Sequence, residues 1–123
     1  MKRYDIHERI FALIIEVLSF AQKLPRTPVN QTIIPQIINS ATSMGANDQE
    51  ADGAATRKEF VHRYSIVRKE GKETAYWLRL IESTNHARYQ EQARKLQDEI
   101  GEVVAIVSKI ILNTNTRVTR RKK

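Results

Sequence analysis

Cysteine is absent from the 123 residues, so disulfides and thiolate metal sites play no part, and a reducing compartment suits the chain. Glycine (4) and proline (3) are scarce and sit mainly at breaks, while Ala, Glu, Lys, Arg, Gln, Leu and Ile dominate, which is helix-forming composition. No glycine-rich phosphate loop, no Gly-x-Ser-x-Gly and no serine set beside His and Asp occurs, so the signatures of phosphoryl and acyl transfer are missing. Long apolar runs are missing too. Ile10 to Phe20 is interrupted by Glu16 and falls short of the roughly 20 apolar residues of a membrane span. Although Met1-Lys2-Arg3 precedes it, Asp5 and Glu8 and the lack of a small-x-small cleavage pattern argue against a signal peptide. The expectation is one soluble, cytoplasmic domain, long enough to bury about two-thirds of its unfolded surface without staples.

What is present is helical periodicity. Helix 1 is expected from Asp5, where Asp5 and Glu8 form a capping box, to Leu24 before Pro25. Helix 2 is expected to open at Thr32, with Pro35 in its first turn where a missing N–H breaks no intrahelical bond, and to run to Asp52 before Gly53. Helix 3 follows Thr56, whose hydroxyl caps while Glu59 reaches back, and extends to Ser83. Helix 4 runs from Ala87 to Leu112. Short loops between long helices make neighbours antiparallel, so the fold class is all-α: an up-and-down four-helix bundle over residues 1–113 with a flexible basic tail, 114–123.

Helix 4 has the cleanest seam, with Tyr89, Ala93, Leu96, Ile100, Val103, Val107 and Ile110 spaced by three and four, and Gly101 off it. Helix 1 repeats the rhythm through Ile6, Ile10, Leu13, Val17, Phe20 and Leu24, yet Phe11, Ile14, Ile15 and Leu18 lie beside or opposite that stripe. One bundle core does not cover so much apolar surface, so Phe11, Ile15 and Leu18 are assigned to an oligomer interface. In the small-residue segment of helix 2, Ala41 and Gly45 share a face on which the following helix is expected to approach closely.

Charge is +7, with five of those charges on Arg117, Arg120, Arg121, Lys122 and Lys123, leaving about +2 on the body. Helix 3 buries Phe60, Tyr64, Val67, Gly71, Ala75 and Leu78 on one side. The opposite arc carries Lys58, His62, Ser65, Lys69, Lys72, Tyr76 and Arg79, with Arg68 at its border and no Asp or Glu. Cations without carboxylates and an embedded ring suit a phosphate backbone and a stacked base, so these residues and the tail form the candidate nucleic-acid site. Protein partners with an acidic surface are the other class such a face serves. Asn47, Glu50, Arg63, Glu70, Glu73 and Trp77 lie at the edge of the core, where carboxylates need partners, and are expected to form a structural polar network. A bundle di-metal site needs Glu-x-x-His on two helices, and only Glu59 and His62 fit, off the apolar side, so no metal or other cofactor and no enzymatic role is expected.

Ser43-Met44-Gly45-Ala46-Asn47 with Glu50-Ala51, Lys58 with Phe60, His62 and Arg63, Lys69-Glu70 with Glu73, and Tyr76-Trp77-Leu78-Arg79-Leu80 form a set of local motifs, joined by Tyr4-Asp5, Phe11 and Leu24-Pro25. Through them nearly the whole chain resembles the bacterial four-helix-bundle proteins named for intervening sequences of 23S rRNA genes. The resemblance implies a bundle that assembles as a homopentamer, similar to the accessory variability determinant proteins of diversity-generating retroelements. Those relatives are non-enzymatic, act with a reverse transcriptase and bind nucleic acid through basic surfaces.

Overall fold

The computed structural model describes residues 5–122, with side chains through residue 116. Four helices follow one another: α1 (Ile6–Lys23), α2 (Pro28–Asp52), α3 (Arg57–Thr84) and α4 (Ala87–Lys122). Helix α1 lies against α2 and α4, and α3 against the same two, so chain order is also the order around the bundle. Among the described residues there is no strand.

Each helix start has a chemical cause. The Asp5 carboxylate accepts the backbone N–H groups of His7 and Glu8, and the Thr56 hydroxyl accepts that of Glu59, two caps in their expected places. Helix α1 stops at Lys23 because Leu24, preceding Pro25, adopts an extended backbone while its side chain stays buried. Helix α2, by contrast, begins four residues before Thr32. Thr27 accepts the N–H of Asn30 at 3.1 Å, Pro28 occupies the first turn, and Pro35 stands inside the helix on its exposed side. Two prolines competed for the first-turn position, and the one behind a capping hydroxyl holds it. Asn30 is buried there, with its amide bound to the Pro25 carbonyl and, in both directions, to Asn85, so the α1–α2 and α3–α4 corners are stitched together.

Helix α4 continues through Lys122 instead of ending at Leu112. Nothing after Leu112 breaks a helix, and the hydroxyls of Thr114 and Thr116 bond back to the carbonyls of Ile110 and Leu112. The residues expected to form a flexible tail are thus helical through Lys122. The side chains of Arg117, Arg120, Arg121 and Lys122, and Lys123 altogether, lie outside the described residues.

The core forms along the anticipated seams with shifts at the edges: Ile6, Phe60, Ala75, Tyr89 and Ile110 are only partly covered, while Thr74, Ile81 and Ile111 are buried. Small residues set the closest approaches. A Cβ on Gly45 would stand 2.7 Å from Cδ1 of Ile14, so at Gly45 the small face of α2 receives α1 and not the helix that follows it. Ile14 is accordingly buried. Gly71 performs the same service for α3, where an added Cβ would meet Val104 at 2.8 Å and Met44 at 3.4 Å. Gly101 faces open space, with nothing within 4 Å of an added Cβ. Gly101→Ala therefore trades backbone freedom for helix propensity at no steric cost and raises stability by about 0.5–1 kcal/mol, measured by urea unfolding. An unchanged or lowered midpoint would contradict that exposure.

Candidate nucleic-acid interface

Packing decides which way α3 faces. Tyr64, Val67, Gly71, Thr74, Leu78 and Ile81 turn inward, and this forces the opposite arc outward. Lys58, His62, Lys69, Lys72, Tyr76 and Arg79 are exposed as expected, and Arg68 at the border is half-buried. Among the described residues no carboxylate stands within ion-pair distance of Lys58, Lys69 or Lys72. Glu73, four residues after Lys69, does not pair with it, in line with the weaker Lys-before-Glu order on a helix. Arg79 comes nearest to compensation. Its charge adds a little to the lowering of the Glu82 carboxyl, which is caused first by the Gln97 amide and the Arg94 guanidinium bound to it.

Within this arc Tyr76 is 53% exposed, and its ring packs edge-on against Trp77 at 5.3 Å between centroids. Ser65 donates its hydroxyl to the Val61 carbonyl at 2.8 Å, so it is not directed at His62.

The expected polar network is only partly assembled. Arg63 donates to the Asn47 side chain at 3.2 Å, and Asn47 donates to the Ser43 carbonyl. Glu50 is exposed, and the carboxylates of Glu70 and Glu73 join neither this pair nor each other. Trp77 is half-buried, with Nε1 enclosed and without an acceptor, as is Nε of Arg63. Carboxylates flanking a long helix reach water by snorkelling, which removes their need for buried partners.

A different network occupies the core. Asp48 is 1% exposed and accepts the Tyr64 hydroxyl at 3.0 Å, and its two carboxylate oxygens lie 2.9 and 3.0 Å from Nδ1 of His7. Nε2 of His7 reaches Asp52 at 3.3 Å. Burial works against the imidazolium, but the hydrogen bond to Asp48 and the charges of Asp48, Asp52 and Asp5 outweigh it, so the His7 pKa rises above its ordinary 6.5. Burial first, and then the Asp48 charge, push the Tyr64 hydroxyl far above the usual tyrosine range, which keeps it a donor. Sequence did carry a signal for this cluster: Asp48 falls in the stripe Ile37, Ala41, Met44, Asp48, Ala51, at core spacing.

Beside the cluster a groove of about 410 Å³ runs between α1 and α2, lined by His7, Phe11, Ile14, Gly45 and Gln49 among others. Of the three residues assigned to an oligomer interface, Phe11 and Ile15 are exposed (67% and 50%), whereas Leu18 packs partly on the core. Among the described residues no group of three His, Cys, Asp or Glu side chains could hold a metal ion, and no helix is long and apolar enough to cross a membrane.

No curated protein matches the chain. A crystal structure from Bacteroides thetaiotaomicron, of a protein of unknown function from the S23 ribosomal protein family, is 29% identical and superposes with a TM-score of 0.74, covering 86% of this chain and 94% of its own. The family model described as 23S rRNA-intervening sequence protein matches residues 2–109. With motifs, bundle and family model in agreement over nearly the full length, the chain belongs to the 23S rRNA-intervening sequence protein family.

Proposed function

We propose that this protein is a non-enzymatic, oligomeric helical scaffold that holds nucleic acid, structured RNA first, through phosphate contacts along the outer face of α3. The observation that carries this reading is the exposed stripe of Lys58, Lys69 and Lys72, which no described carboxylate neutralises. A surface ion pair offers such cations a partner at little cost, so a long face kept free of them favours an external polyanion. Arg79, and the basic end of α4 with its Arg117, Arg120, Arg121 and Lys122, would add charge to the same attraction. The family description, which places these proteins with 23S rRNA insertions, is compatible with an RNA partner.

Assembly rests on a separate observation: Phe11, which lines the α1–α2 groove, and Ile15, four residues on, are bare apolar side chains. They favour a homo-oligomer, a pentamer by the resemblance to retroelement accessory proteins, and they are the feature that would equally serve a protein partner such as a reverse transcriptase. Mass measurement in solution tests the first, and a pull-down resistant to nuclease would favour the second.

The charge-reversed variant Lys69→Glu/Lys72→Glu tests the α3 site. RNA affinity at about 100 mM salt falls about tenfold, and the dependence of log K on log salt becomes shallower by about two. Unchanged affinity and slope would remove α3 from the interface.

A further inference from the structure

We infer that the α3 face is built for unpaired nucleotides, with Tyr76 as the platform on which one base stacks. The inference rests on the phosphate-binding reading of α3 and specifies its ligand as single-stranded nucleic acid or the unpaired loop of a folded RNA.

Tyr76 stands toward the C-terminal end of the stripe, with Lys69 and Lys72 seven and four residues before it and Arg79 three after. At a rise of 1.5 Å per residue these four side chains span about 15 Å, a length that a few nucleotides cover. The residue is 53% exposed, with Lys72 and Arg79 within one turn on the arc, Glu73 on its flank and the half-buried Leu80 below it. Its base is braced edge-on by Trp77, so the ring offers a held face instead of a freely rotating one. A duplex gains nothing from such a ring. Its bases are already stacked, and the major groove of A-form RNA is too deep and narrow for side chains on a helix flank to read. An unpaired base gains a stacking partner of any sequence while the lysines hold the adjoining phosphates. Phosphate attraction alone would require the cations but no exposed aromatic ring among them.

The protein contains a single tryptophan, Trp77, and it touches Tyr76, so its fluorescence reports occupancy directly. The experiment titrates the full chain with a single-stranded RNA oligonucleotide and with the blunt duplex of the same sequence, at one salt concentration. The expected result is tighter binding of the single strand, with a change in Trp77 emission that the duplex does not produce. Tyr76→Ala lowers single-strand affinity about tenfold and leaves duplex affinity alone, while Tyr76→Phe keeps the wild-type value. Equal binding of the two RNAs, or a Tyr76→Ala variant that binds the single strand like wild type, overturns the base platform. If Lys69→Glu/Lys72→Glu still weakens both RNAs in that case, the phosphate reading stands without it. If neither variant changes either affinity, both readings fall together.

Discussion

Asp48→Ala lowers the stability of the bundle by about 3 kcal/mol, the largest loss expected from any polar side chain in this protein. The carboxylate is 1% exposed and satisfies the Tyr64 hydroxyl and the His7 imidazolium at once, so truncating it strands the buried Tyr64 hydroxyl and leaves half-buried His7 with only Asp52 and solvent. For a domain of this size the midpoint of thermal unfolding drops by about 10 °C. The effect also depends on pH, with a definite sign. The folded-state pKa of His7 is raised above 6.5, so the contribution of its ion pairs is complete below that value and is lost as pH rises through the folded pKa. Wild-type stability therefore declines from about pH 6.5 upward through this group, and Asp48→Ala flattens that part of the profile. Asp48→Asn keeps an acceptor for Tyr64, costs less, and flattens it similarly, leaving only the weaker help of Asp52 and Asp5. A variant within about 1 kcal/mol of wild type, with its pH slope intact, would mean that the cluster carries no stability.

That cluster also marks how far the chain can be read without coordinates. Local signals were legible because they are written within four residues: the caps at Asp5 and Thr56, the stop at Leu24-Pro25 and the break at Gly53 all stand where composition and spacing put them. Helix α2 starts earlier than Pro35 alone implies because Pro28 and Pro35 satisfy the same first-turn rule, and the Thr27 cap together with the Asn30 amide, tied to Asn85 across 55 residues, favours Pro28. Asp48 sat visibly in an apolar stripe, but a stripe does not say whether a polar member has a partner. Its partner comes from His7, 41 positions away on another helix, where no local spacing points to it. Glu70, Glu73 and Trp77 show the converse. Their edge-of-core positions promised a network, whereas the long side chains have solvent within reach and only Asn47 and Arg63 meet. For the α3 stripe, sequence established that the arc itself carries no carboxylate, the helix's four glutamates lying off it. Whether α2 or α4 would supply one was a tertiary question, and for Lys58, Lys69 and Lys72 the answer is that neither does.

Gly71 links that stripe to the core, and replacing it with a large side chain should be as costly as removing Asp48. The residue lies on the side of α3 opposite Tyr76, where α2 and α4 close in: an added Cβ would be 2.8 Å from Cγ2 of Val104 and 3.4 Å from Cε of Met44. Its backbone needs no unusual dihedral, so proximity alone accounts for the glycine. Two terms compete in Gly71→Ala. Helix propensity favours alanine by about 1 kcal/mol, while the methyl group meets a β-branched side chain with essentially one helical rotamer. Methionine can yield to the intruding group, but Val104 cannot without moving α4, so the contact outweighs the propensity and the variant loses about 1 kcal/mol. Gly71→Leu drives a whole side chain into the same gap and loses about 3 kcal/mol, with α3 levered away from both neighbours. The double variant Gly71→Ala/Val104→Ala separates the terms. Removing Cγ2 relieves the contact, so the pair is more stable than the sum of its single effects by about 1 kcal/mol in a double-mutant cycle followed by urea unfolding. Additive single effects would place the two residues out of contact, and a Gly71→Leu protein as stable as wild type would refute the packing that turns Lys69, Lys72 and Tyr76 outward.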